Sequence, residues 1–138
     1  MRKVSFLIGL CAMVAFTLTM TGQQQPTQDL SPIMRDVAHS MQELNRGMVA
    51  QGAPIVVMEA QNLFQFFTKA QGIFKAQKAQ DAVDLAGQQI RSATAIMEAA
   101  QSNNLDAARA PIKAMQGRCA TCHMAHREQL PDKTFRFK

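Results

Sequence analysis

The chain is predicted to be all-α, an up-down-up-down bundle of four helices. Apolar residues recur at three- and four-residue spacings in four stretches. Short breaks rich in Gly, Pro, Asn and Asp separate those stretches. No segment shows a convincing strand pattern. The 138 residues are a single-domain length.

Arg2 and Lys3, followed by a nearly unbroken apolar run from Val4 to Met20, read as an export signal over residues 1–22. Cleavage is expected near Gly22, although Thr19-Met20-Thr21-Gly22 lacks the usual Ala-x-Ala. The run also approaches the ~20 apolar residues that span a bilayer, so an uncleaved membrane anchor is the alternative. Residues 23–138 then form one domain. Arg2 and Lys3 leave with the signal, so 13 Lys and Arg face 10 Asp and Glu, a formal charge of +3. That balance points to neither nucleic acid nor a membrane surface as partner. Cys11 belongs to the signal, and Leu10 stands before it where lipidation would want a small residue. Cys119 and Cys122 remain as the domain's only cysteines, so a disulfide framework is excluded.

Ser31-Pro32 predicts the first helix start, with serine as N-cap and proline at the first helical position. Met34, Val37, Met41, Leu44 and Met48 make its stripe. Gly52 and Pro54 break and restart the chain. Val56, Ala60, Leu63, Phe67, Ala70 and Phe74 form the second stripe, widened by Ile55, Phe64 and Phe66. Gly72 and the polar run from Lys75 to Gln80 mark a frayed end or a loop. Asp81 is expected to cap the third helix, with Val83, Ala86, Ile90, Ala93, Met97 and Ala100 as its stripe. Ser102-Asn103-Asn104 supplies the last turn and cap. The fourth stripe is Leu105, Ala108, Ile112, Met115, Cys119, Cys122 and His126. Pro111 either kinks this helix or marks a start near Ala110. Short connections make helices one and four antiparallel neighbours. The beginning of the first and the end of the fourth then share one end of the bundle.

Cys119-Ala120-Thr121-Cys122-His123 is C-x-x-C-H, the attachment pattern of haem c. In such a site two thiols add to the haem vinyl groups and the adjacent imidazole takes an axial position on the iron. On a helix, residues three apart share a face about one turn from each other, so both sulfurs reach one flat macrocycle. A thioredoxin-like dithiol would need a strand–turn–helix setting. Zinc would need three or four separable ligands, and His39 and His126 are the only other histidines. A disulfide across two intervening helical residues would be strained. One covalently attached haem c is therefore the expected cofactor, and export suits its attachment outside the cytoplasm.

With these residues in place, the chain resembles the class II c-type cytochromes, the cytochrome c prime family and its low-spin relatives. Cys119-x-x-Cys122-His123-x-x-x-Arg127 follows that family's C-x-x-C-H-x-x-x-R pattern. His126 departs from it, because an aromatic usually precedes the arginine. Asp29-Leu30-x-x-x-Met34 and Ile33-Met34-Arg35 resemble the first-helix segments that carry a methionine ligand in low-spin members and in the related b-type bundle cytochrome. The resemblance implies a bundle with haem covalently bound within it, Cys119 and Cys122 as thioether anchors, and His123 as proximal ligand. It also implies Met34 as sixth ligand and Arg127 beside the haem propionates.

Methionine on a bundle stripe also serves as core filling, so the sixth position stays open between Met34, Met41 one heptad further along, and no protein ligand. His39, five residues past Met34, turns about 140° off the stripe and reads as a surface or boundary residue. Arg118, beside Cys119, is a second candidate for a propionate, and His126 is expected against the haem edge. Lys133, Arg136 and Lys138 read as a solvated basic tail. The expected function is that of an exported, periplasmic monohaem c-type cytochrome carrying single electrons between redox partner proteins. The alternative is a five-coordinate protein that binds nitric oxide or carbon monoxide. An enzyme is not expected, because no distal acid–base pair and no second cofactor motif are present. A homodimer on the first two helices is a further implication of the resemblance, with Phe64, Phe66 and Phe67 serving either it or the core.

Overall fold

The computed structural model describes residues 29–138; the proposed export signal lies outside them. Four helices follow one another: α1 (Ser31–Val49), α2 (Ala53–Ala76), α3 (Gln80–Gln101) and α4 (Leu105–His126). Two three-residue strands close the chain, β1 (Arg127–Gln129) and β2 (Phe135–Phe137), paired antiparallel with Glu128 opposite Arg136. Among the described residues, no helix is long and apolar enough to cross a membrane.

The three inter-helix turns are built alike. Gln51, Lys78 and Asn103 each adopt left-handed backbone, with φ of 54°, 59° and 53°. The next amide in each turn bonds back to the helix: Gly52 to the Gly47 carbonyl at 2.8 Å, Ala79 to Phe74 at 3.1 Å, Asn104 to Ala99 at 2.8 Å. This is the Schellman ending, which satisfies carbonyls the helix leaves unpaired. Turns this short oblige consecutive helices to run antiparallel. Each helix packs on its neighbours in sequence, α1 on α2, α2 on α3, α3 on α4. Gly47 admits the first of these approaches, since a Cβ there would lie 3.0 Å from Ile55 Cγ2.

Two apolar clusters fill the interior. The larger joins Val37, Leu44 and Met48 to Val56, Leu63, Phe67, Ile96, Ile112, Met115 and neighbouring alanines, and so draws on all four helices. The smaller sits at the end where α1 begins and α4 finishes: Leu30, Ala70, Ile73, Phe74, Ala82, Val83 and Ala86, with Met34 and Phe137 packed against it. Leu63 is fully buried. Leu63→Ala is expected to cost about 2–5 kcal/mol, measured as a fall in the urea midpoint at unchanged slope.

Several local expectations change. Leu30, not Ser31, holds the α1 cap position, and Asp29 Oδ1 accepts the Ser31 N–H at 2.8 Å. Asp81 falls inside the first turn of α3, where its carboxylate engages another helix. Asn104 does cap α4, accepting the Ala107 N–H at 3.2 Å. That helix starts at Leu105 and runs through Pro111. Ile55 and Phe64 do not widen the buried stripe, being 42% and 38% exposed. Ile90 and Met97 are half-buried, while Ile96 takes the fully buried position. The basic tail is the β-hairpin. Its turn is held by Lys133 N–H on the Leu130 carbonyl at 2.9 Å and Leu130 N–H on Thr134 at 2.8 Å. Arg136 Nε pairs there with Glu128 Oε2 at 2.8 Å.

Candidate haem-attachment site

The last two turns of α4 carry the motif. Cys119 and Cys122 are both half-buried, and no disulfide joins them. Cys119 lies against the larger apolar cluster. His123 is on the exposed side of the helix. Partial burial and the neighbouring Arg127 charge hold its imidazole below the usual histidine range. It is therefore neutral at neutral pH, which is the form that binds metals.

Burial pushes both thiols above the ordinary cysteine range. At Cys119 a hydrogen bond from Gln89 and the Arg118 charge pull the other way. At Cys122 the nearby Cys119 and Asp81 add to the rise. Both groups accordingly stay protonated and slow to oxidise at neutral pH.

Met34 is half-buried against the cluster of Leu30, Ile73 and Phe74, at the end where α4 terminates. Met41 packs instead against the larger cluster, and His39 is exposed. Arg127 stacks over Phe135, its Cζ 3.4 Å from the ring centroid. Arg118 faces α3, where Gln89 Oε1 accepts from its Nε at 3.2 Å and the Ser92 hydroxyl meets its guanidinium. His126 Nε2 lies 2.7 Å from Asp81 Oδ2, and the ring stacks on Phe137 with centroids 4.8 Å apart. Phe137 in turn meets Phe74 at 5.1 Å. His126 thus ties α4 and the hairpin to the α2–α3 end. The sequence reading missed Gln89, Ser92 and the hairpin. Gln89 leaves a trace: it stands three residues after Ala86 and four before Ala93, a polar residue at a core spacing.

The Asp81–His126 contact makes stability depend on acid. The hydrogen bond to His126 is the largest cause holding the Asp81 carboxyl below the usual aspartate range. Between the lowered value and the ordinary one, the unfolded chain binds more protons than the folded chain. The contribution is therefore complete above the ordinary aspartate pKa and is lost as pH falls through the lowered value. Asp81→Asn is expected to lower the urea midpoint at pH 6, with the difference from the parent shrinking toward pH 3. An equal difference at both pH values would show that the carboxylate charge has no part in it.

Among the described residues, no three His, Cys, Asp or Glu side chains gather as a site for a bare metal ion. A haem iron needs no such cluster, because the porphyrin supplies four nitrogens and the protein only axial groups. The chemistry of the donor set fits that need: two thiols one turn apart, a neutral imidazole next in the chain, and a thioether at the same end of the bundle. Compared with protein-family models, curated proteins and solved structures, the chain matches none.

Proposed function

We propose that the chain is an exported c-type cytochrome that carries single electrons between redox partner proteins through one covalently attached haem. The observation that supports this best is the location of Cys119 and Cys122. Both side chains lie half-buried in the last two turns of α4, Cys119 against the larger apolar cluster, and α4 ends beside the smaller cluster on which Met34 packs. Cys119 and Cys122 would hold the haem, with His123 and Met34 as the side chains that would bind its iron and Arg127 as the charge that would meet a propionate. When bound, the group would supply a one-electron ferric–ferrous couple, and thioether ligation would favour the ferrous form.

The chain's own residues do the rest. The depressed His123 leaves a nitrogen lone pair free at neutral pH. Leu30, Ile33 and Phe74 offer apolar surface around Met34 that excludes water. α1 packs on α2 and α4 on α3, which holds both helices still, so little rearranges when charge changes. Arg118 is engaged by α3 and has less freedom to meet a propionate than Arg127 does. A periplasmic location belongs to the same proposal, since the first 22 residues have the features of an export signal.

Absorption spectra of the ferric and ferrous protein, with and without carbon monoxide, test the reading. The expected result is low-spin iron in both states and a ferrous spectrum that carbon monoxide changes little. High-spin ferric iron with ready carbon monoxide binding would favour the gas-binding alternative. Absence of haem bands would refute both.

A further inference from the structure

A buried polar network crosses the α3–α4 interface beside the attachment motif. Gln89 is 3% exposed and Ser92 7%. Gln89 Nε2 donates to the Met115 carbonyl at 3.0 Å and to Cys119 Sγ at 3.2 Å. Gln89 Oε1 accepts from Arg118 Nε at 3.2 Å. The Arg118 guanidinium is held by the Ser92 hydroxyl and reaches the Gln88 carbonyl at 3.5 Å. Arg118 can only donate and the Met115 carbonyl can only accept, so the amide has one orientation that satisfies both. Cys122 has no comparable donor among the described residues.

We propose that Gln89 is the positioning residue for the Cys119 attachment point, an inference that rests on the covalent-haem reading. An amide from α3 bonded to a sulfur on α4 fixes the Cys119 side chain relative to the bundle, while the Cys122 side chain is left to turn. The sulfur acts as acceptor in this contact, so its own proton is not engaged. Thioether formation adds that S–H across a vinyl C=C. A C–S bond forms at the inner carbon, the hydrogen goes to the outer carbon, and no electron is gained or lost. The product sulfur still accepts, so the same contact serves thiol and thioether. The Met115 carbonyl anchors the amide throughout, and Arg118 keeps it from turning over.

Gln89→Glu tests the assignment. Glutamate keeps the size and the oxygen that faces Arg118 but has no N–H to give the sulfur. Gln89→Met repeats the loss without adding charge. The full chain is produced under conditions of haem attachment, free thiols are alkylated, and peptide masses report occupancy at Cys119 and Cys122 separately. In both variants the fraction of chains with free Cys119 is expected to rise at least about fivefold, the shift an ordinary hydrogen bond commands. Occupancy at Cys122 should stay at the parent level. Unchanged occupancy at Cys119, or an equal fall at both cysteines as a general folding defect would give, overturns the proposal. A parent chain with haem at neither cysteine would instead overturn the covalent-haem reading on which it rests.

Discussion

Replacing Cys119 and Cys122 together by serine is expected to abolish covalent haem: acid–organic extraction should strip all colour from the polypeptide. Serine nearly matches cysteine in size, so the half-buried α4 wall is little disturbed. The chemistry is lost all the same, because a hydroxyl does not add to a vinyl group as a thiol does. Either single replacement should leave one thioether, with the chain still coloured but one vinyl group intact, visible in the mass. Circular dichroism of the same samples separates loss of attachment from loss of helix. A double variant that keeps covalent colour would place the attachment elsewhere in the chain.

Met34→Leu is expected to change the iron more than the fold. The side chain is half-buried among Leu30, Ile73 and Phe74, and leucine conserves its volume, a swap that usually costs under about 1.5 kcal/mol. With the thioether gone, ferric iron should lose its low-spin character and the potential should fall. Carbon monoxide should then bind the ferrous form readily. Met41→Leu, one heptad further along α1, should do none of this. Spectra and a redox titration of the two variants side by side check the assignment. An unaltered spin state in Met34→Leu would leave the sixth position to another residue or to none.

The helices were legible in the sequence because each must bury one stripe, and burial at three- and four-residue spacing is visible without coordinates. Val56, Ala60, Leu63, Phe67, Ala70 and Phe74 are all buried as their spacing requires. The caps were less legible. Ser31 and Asp81 are good capping residues, yet both stand inside the first turn, since packing and the preceding turn set where a helix begins. Asp81 uses its carboxylate on His126, a partner 45 residues away that no local pattern reveals. The hairpin escaped because three-residue strands are too short for alternation to register. What holds it is tertiary, Phe137 between His126 and Phe74. Its turn is pinned by Asp132, whose Oδ1 accepts the Thr134 N–H at 2.9 Å. At the candidate site the motif named the sulfurs and the imidazole. The Gln89 contact depends on how α3 meets α4, and spacing along one helix carries no such information.

The most direct test of covalent haem attachment is the intact mass of the exported, purified protein after acid–organic extraction, taken with its visible colour. The expected result is a coloured polypeptide heavier than its amino-acid sequence by one haem, with neither Cys119 nor Cys122 open to alkylation. A colourless chain of bare polypeptide mass, with both cysteines alkylated, would contradict it.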